Sequence, residues 1–167
     1  MANFKPAFER TLKYEGGVAN HPNDPGGLTN SGITLATFSK YYEGGADALL
    51  HMTHEQCYTI YRKGFWNKIW GDDINSQSVA ELFYDTAVNI GVKRAIEKMQ
   101  MLLGVKVDGV VGKITLKAIN DKNPQTLFNE YHDVRVAYYK QLVAKKPQMK
   151  CFLNGWLNRC RAFKFES

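Results

Sequence analysis

The sequence predicts a mainly α-helical protein that carries one long Gly- and Pro-rich loop near its N-terminus. Apolar residues recur at the helical spacings of three and four along most of the chain. No segment of strand length alternates apolar and polar residues strongly. Residues 15–33 contain five Gly and two Pro, so they cannot continue a helix.

The first half of the chain contains three helix signals. Asn3 is a candidate N-cap for a helix whose apolar stripe extends to Leu12 and whose stop signal begins at Gly16. A short helical segment follows over residues 34–42. Thr53 begins a capping-box pattern, in which a hydroxyl and a side chain three positions later satisfy each other's backbone N–H groups. We therefore expect a third, aromatic helix after Thr53.

The second half predicts longer helices. Ser78 begins a second capping-box pattern, and its helix extends to Leu103 unless Gly91 divides it. Asn123-Pro124 opens the next helix, since proline suits the first helical position. The last helix covers residues 153–163.

Composition limits the classes of protein that this chain can represent. Its 167 residues fit one domain, and 44% hydrophobic with 23% charged residues excludes a disordered or fibrous chain. No apolar run approaches the roughly 18 residues of a membrane span, and we expect no secretory signal. The net charge of +6 favours a polyanionic partner such as nucleic acid, an anionic membrane face or a wall polymer. A solvated basic tail is the alternative explanation.

The cysteines and histidines do not predict a metal site or a disulfide. Cys57, Cys151 and Cys160 are odd in number and lack a CxxC motif, so we interpret them as buried structural thiols. His51 and His54 lie three positions apart without further ligands at zinc spacing. We expect no metal and no cofactor.

Glu15 is the first candidate for chemistry because it lies where the first helix meets the loop. It follows Leu12 by three positions and Phe8 by seven, on the face of their apolar stripe. Partial desolvation and the negative end of the helix dipole both disfavour a charged carboxylate there. A protonated glutamate suits a general acid, although an exposed Glu that only ends the helix is the alternative.

The loop carries the pattern E-G-G-x(6)-D-P-G-G-x-T-x-x-G-I, which starts at Glu15. This pattern resembles the signature of the glycoside hydrolase family 108 lysozymes, which are N-acetylmuramidases that include phage endolysins. Residues 61–66, 83–91 and 108–115 resemble three further motifs of the family, in the same order. The resemblance implies a lysozyme-like helical bundle whose Gly/Pro-rich catalytic loop can include a short β-hairpin.

The resemblance also implies an organisation of the chain. We expect a single lysozyme-like domain over residues 1–167. Residues 1–90 would form its catalytic part and residues 91–167 a helical part that binds peptidoglycan. The D-G-x-x-G pattern at Asp108 is interpreted as a tight turn with a structural role.

By the same resemblance, three loop residues are catalytic. Glu15 carries over as the acid that protonates the glycosidic oxygen. Asp24 would stabilise oxocarbenium charge or activate water, and an Asx turn is its alternative interpretation. Thr29 would orient a water molecule or a carboxylate. His21 departs from the family, which commonly has an acidic residue at that position.

Three further residues are candidates for substrate binding. Trp66 would present an apolar face to a sugar ring at the edge of a cleft, because Phe65 already occupies the core stripe. Asp85 and Asn89 lie four positions apart on one helix face and would hydrogen-bond N-acetyl groups. Core packing for Trp66, and helix packing or capping for Asp85 and Asn89, are the alternatives.

The resemblance therefore predicts a hydrolase that cleaves the β-1,4 bond between N-acetylmuramic acid and N-acetylglucosamine. A lytic transglycosylase, and a non-catalytic wall-binding or secretion-accessory protein, remain as alternatives. We expect a monomer whose partner is the peptidoglycan glycan strand, with no nucleic acid and no stable membrane insertion. We also expect synthesis in the cytoplasm without a signal peptide and action at the wall or periplasm after holin-type or other non-Sec export.

Overall fold

The structure, a computed structural model, describes residues 1–20 and 27–167, and these residues are mainly helical, as predicted. The helices within the described residues are α1 Phe4–Leu12, α2 Leu35–Phe38, α3 Gly45–Leu50, α4 His54–Tyr61, α5 Gln77–Ile90, α6 Val92–Leu103, α7 Lys113–Asp121, α8 Pro124–Lys145 and α9 Lys150–Arg161. The strands β1 Val18–Asn20, β2 Leu28–Asn30 and β3 Ile33–Thr34 form one antiparallel sheet in that order.

The chain divides into two compact units, residues 5–64 and residues 1–4 with 65–167. In the smaller unit, Phe8 of α1 packs edge-on against Tyr58 of α4 at a centroid distance of 5.1 Å. The Phe8 ring also lies 5.8 Å from that of Tyr61. These contacts bury one face of α1 and fix the end of that helix beside the end of α4.

The strands β2 and β3 are joined by a two-residue turn. Asn30 pairs with Ile33, and the turn residues Ser31 and Gly32 have φ angles of 51° and 79°. Two consecutive positive φ angles are the mark of a type I′ hairpin, whose twist matches that of its strands. The Asn30 amide donates to the carbonyl of Leu49 at 2.9 Å and fastens the hairpin to α3.

The larger unit is organised around α5, which is buried over most of its length. It packs against α6 and α8, and α8 packs against α9. Gly91 has a φ of 100° and separates α5 from α6, so the predicted division at this glycine is confirmed.

The capping predictions have different outcomes. Thr53 forms the predicted capping box with Gln56. The box at Ser78 is wrong, because Ser76 caps α5. The Ser78 hydroxyl instead bonds to the chain near the C-terminus, since it donates to the carbonyl of Glu166 and accepts from its N–H.

The D-G-x-x-G segment is held by Gln100, which is buried on α6. The Gln100 amide oxygen accepts from the N–H groups of Asp108 and Gly109 at 3.0 and 2.9 Å. Its nitrogen donates to Asp108 Oδ1 at 2.9 Å and to the carbonyl of Val110 at 3.0 Å. Gln100 thus satisfies the turn's backbone groups, which supports the structural interpretation of this motif.

Two of the three cysteines are buried as expected. Burial raises the pKa of the Cys57 and Cys160 thiols to about 11, so both are protonated at neutral pH. Cys151 is exposed, which contradicts the expectation for that residue.

Among the helices of the described residues, none is both long and apolar enough to cross a membrane.

Candidate active site

Glu15 lies just beyond the end of α1 and is half-buried. The helix ends at Leu12, and the N–H of Glu15 still bonds to the Leu12 carbonyl at 3.2 Å. This single turn fixes the backbone of Glu15 relative to α1. The aromatic contacts of Phe8 hold α1 in place. The point at which the Glu15 side chain leaves the backbone is therefore fixed as well.

The Glu15 carboxyl lies against the tip of the β2–β3 hairpin. A Cβ added to Gly32 would lie 2.9 Å from Glu15 Cδ and closer still to Oε2. The same Cβ would lie 2.8 Å from the hydroxyl oxygen of Tyr61. Gly32 is thus required here both for its positive φ and for the space that the two side chains occupy.

Tyr61 supplies a second polar group at this tip. It is buried at the end of α4, and its hydroxyl donates to the carbonyl of Ser31 at 2.7 Å. This hydrogen bond holds the turn of the hairpin in place beside the Glu15 carboxyl. The Gly32 and Tyr61 contributions were not predicted from the sequence, although Gly32 is the glycine of the T-x-x-G part of the signature.

Thr29 lies in the same unit as Glu15, on the central strand of the sheet. It is half-buried and pairs with Ala19 of β1 and Thr34 of β3. Its hydroxyl lies 3.5 Å from the Ala19 carbonyl, at the outer limit of a hydrogen bond. The hydroxyl is thus only weakly engaged by this carbonyl.

Asp24 and His21 belong to the segment between β1 and β2 and lie outside the described residues. The role of Asp24 as a second carboxylate stays a prediction. No group of His, Cys, Asp and Glu side chains within residues 1–20 and 27–167 has an arrangement that holds a metal ion.

Trp66 belongs to the larger unit, and its predicted position at the edge of a cleft is wrong. The side chain is fully buried and packs on Phe4 and Tyr84 at centroid distances of 5.4 and 5.7 Å. Its indole Nε1 donates to Asp72 Oδ1 at 2.8 Å. A Cβ on Gly71 would lie 2.7 Å from Trp66 Cζ2, so the ring is covered on that side by backbone. A ring without exposed surface cannot stack on a sugar.

Asp85 is also buried, which contradicts its predicted role in substrate binding. Its Oδ2 lies 2.7 Å from Nη2 of Arg135, and its Oδ1 accepts from Nη2 of Arg159 at 2.9 Å. The first contact is an ion pair whose angle falls outside hydrogen-bond geometry. The carboxylate neutralises guanidinium charge among α5, α8 and α9, so its role is structural.

Asn89 lies next to this ion cluster on α5. Its amide oxygen accepts from the Tyr139 hydroxyl, which in turn accepts from Nε of Arg135 at 2.8 Å. The side chain is half-buried and takes part in the polar network of the larger unit. Its contact with a substrate stays a prediction.

Two family models match consecutive parts of the chain. A family model described as Glycosyl hydrolase 108 matches residues 8–91, and one described as Predicted Peptidoglycan domain matches residues 94–161. No curated protein sequence gives a significant match. The solved "Structure of Brucella abortus SagA" is similar to this chain, with 33% identity and a TM-score of 0.77. That similarity covers 98% of this chain and 97% of the other. The chain therefore belongs to the glycosyl hydrolase 108 family and is a glycoside hydrolase that acts on peptidoglycan.

Proposed function

We propose that this protein hydrolyses the β-1,4 bond between N-acetylmuramic acid and N-acetylglucosamine, with Glu15 as the general acid. The observation that carries the proposal is the placement of the Glu15 carboxyl against Gly32, at a turn that no other residue fits. The turn beside this carboxyl is itself held by strand pairing and by the Tyr61 hydrogen bond, so the surface that Glu15 contacts is well defined. General acid catalysis requires this, because the proton donor must lie within hydrogen-bond reach of the leaving oxygen.

The reaction that we propose begins with proton transfer from Glu15 to the glycosidic oxygen. The bond between that oxygen and the sugar C1 breaks, and positive charge spreads over C1 and the ring oxygen. Water then adds to C1 and gives its proton to a carboxylate of the site or to solvent, and Glu15 regains a proton, so that one water molecule is consumed for each bond cleaved. Asp24 would stabilise the positive charge or activate the water, and Thr29 would orient that water.

Tyr61 is a positioning residue in this proposal. Its hydroxyl donates to the Ser31 carbonyl at 2.7 Å and holds the turn against which Glu15 lies. Loss of this hydrogen bond would loosen the turn without removing the proton donor. Tyr61→Phe should therefore lower kcat by less than Glu15→Gln does.

The experiment is digestion of purified peptidoglycan by the wild type and by Glu15→Gln. Glu9→Gln is the matched control, because Glu9 is an exposed glutamate on α1, the helix that precedes Glu15. We expect turbidity to fall with the wild type and with Glu9→Gln, and to stay constant with Glu15→Gln. Lysis by Glu15→Gln at the wild-type rate would reject the assignment of the acid.

Mass spectrometry of the released muropeptides identifies the bond and the reaction. Borohydride reduction converts a newly formed reducing end to a sugar alcohol, so N-acetylmuramitol ends are expected. N-acetylglucosaminitol ends would show cleavage of the other glycosidic bond. Anhydromuramic ends would show transglycosylation, in which no water is consumed.

A further inference from the structure

A basic groove lies on the larger unit, between α6 and α8. Its volume is about 320 Å³, comparable to a small ligand site. The residues that line it include three cationic side chains and one aromatic ring: Arg94, Lys98, Tyr138, Gln141, Leu142 and Lys145. None of these residues takes part in the Glu15 site or in the buried ion cluster of Asp85.

The Arg94 guanidinium is held in a fixed position within this groove. Its Nη1 donates to the Ile90 carbonyl at 3.0 Å and to the Tyr138 hydroxyl at 3.1 Å. The guanidinium carbon lies 5.5 Å from the centre of the Tyr138 ring. A side chain held by three contacts has already lost much of the entropy that ligand binding would otherwise cost.

Lys98 shares the same ring, one helical turn further along α6. Its ammonium nitrogen lies 4.9 Å from the centre of the Tyr138 ring. Partial burial and the charge of Arg94 together lower the pKa of Lys98, and this is only partly offset by Glu97. Two cations on one ring therefore oppose each other, and an anion between them would relieve that repulsion.

Among the described residues, acidic side chains offset the charge of this groove only in part. Within the described part of the chain, Arg94, Lys98 and Lys145 form no ion pair with a carboxylate. The adjacent Glu97 lies 3.9 Å from Lys93 on the same helix. The groove thus presents excess positive charge beside the face of an aromatic ring.

We propose that this groove binds a carboxylate of the peptidoglycan stem peptide. The inference rests on the proposed function, since it concerns the same substrate. The groove lies within residues 94–161, the range of the peptidoglycan domain match. Stem peptides alternate small apolar residues with free carboxylates, which suits Tyr138 and Leu142 beside Arg94 and Lys98. Neutral amino sugars would leave the two cations without a partner.

The test measures binding in the Glu15→Gln background, so that the ligand is not consumed. The probes are a soluble disaccharide tetrapeptide and the same disaccharide without its peptide, whose only carboxylate is the lactyl group. Arg94→Gln with Lys98→Gln removes two charges from the groove. Lys140→Gln with Lys164→Gln is the matched control, because both lysines are exposed and neither lines the groove.

We expect the groove variant to lose about tenfold or more in affinity for the disaccharide tetrapeptide, since charged hydrogen bonds are lost. The control variant should change that affinity less than about twofold, because screened surface charges contribute little. Equal affinity of the groove variant and its background would overturn the proposal. Equal losses in both variants would also overturn it, since they would indicate general attraction only.

The second probe distinguishes the two sources of a carboxylate. We expect the peptide-free disaccharide to bind equally to the groove variant and its background. A selective loss for this probe would assign the groove to the lactyl group and overturn the stem-peptide assignment. If circular dichroism shows that the double variant is unfolded, the single variant Lys98→Gln provides the same comparison.

The proposed function and this inference fail separately. Absence of muropeptide release by the wild type would reject the hydrolase, whatever the groove binds. Unchanged affinity of the groove variant would reject the binding site, whatever bond the wild type cleaves.

Discussion

The two units use a carboxyl group in contrasting ways. Glu15, in the smaller unit, is half-buried and lies against the backbone of a turn. Asp85, in the larger unit, is fully buried and contacts the guanidinium groups of Arg135 and Arg159. The Asp85 carboxylate is enclosed between two guanidinium groups and serves the fold, whereas the Glu15 carboxyl beside the turn is only half-buried. The surroundings of a carboxyl group, and not its place on a helix face, decide which role it has.

The largest expected effect is on the activity of Glu15→Gln. The amide keeps the shape of the side chain but has no proton to donate, so we expect a loss of at least about 10²–10⁴-fold. Turbidity assays measure this loss, and thermal melts should show a stability equal to that of the wild type. A large fall in Tm would instead make Glu15 resemble Asp85, as a residue required for folding.

Asp85→Asn should instead lower the stability of the fold. Removing the charge leaves two buried guanidinium groups without their anion, which should destabilise the fold by about 3–5 kcal/mol. Urea unfolding measures this, with Asp121→Asn as the control because Asp121 pairs with Lys117 on the surface. The control variant should lower the free energy of unfolding by about 1 kcal/mol or less. Equal effects of the two variants would show that the Asp85 cluster contributes little.

Gly32→Ala should lower both activity and stability. Its φ of 79° is strained for alanine, and the added methyl would displace the Glu15 carboxyl. A strained backbone of this kind costs about 1–3 kcal/mol. Gly16→Ala is the control, since a Cβ there meets nothing within 4 Å. Circular dichroism melts and turbidity assays should separate the two variants, and full activity of Gly32→Ala would contradict the close placement of Glu15.

The smallest expected effect is a slight rise in Tm for Lys98→Gln at pH 7. Because burial and Arg94 lower the pKa of Lys98 from its ordinary 10.5, the charged ammonium costs the folded state stability at neutral pH. This cost is present below the lowered pKa and disappears as the pH rises towards 10.5. Melts of both proteins across this range should therefore converge at high pH. A lower Tm for the variant at pH 7 would contradict this assignment.

Local signals in the sequence predicted local features well. The capping box at Thr53 and the division at Gly91 depend on residues close together in the chain, and both are confirmed. The loop signature predicted the family correctly, whereas the role of Glu15 that the resemblance implies stays a prediction. The error at Ser78 has a nonlocal cause, because its hydroxyl bonds to the backbone of Glu166 at the other end of the chain.

The predictions for Trp66 and Asp85 failed for a related reason. Helical spacing identifies which residues share a face but does not show what covers that face. Since α5 is buried over most of its length, a polar residue on it does not indicate a solvent-exposed wall. The partners of Asp85 lie on α8 and α9, far along the chain, and spacing within one helix carries no information about them.

The two-residue turn at Ser31 and Gly32 has a consequence for how this protein tolerates sequence change. The Glu15 carboxyl lies against the backbone of this turn, whose course depends on the number of turn residues and on their positive φ angles. Changes of side chain in the hairpin should therefore disturb the site less than changes in the number of residues. One inserted residue would shift the pairing of Asn30 with Ile33 and turn the following side chains to the opposite face of the sheet. Outside Gly32, Thr29 and Asn30, substitutions in this hairpin should therefore be tolerated better than single insertions and deletions, which should abolish activity.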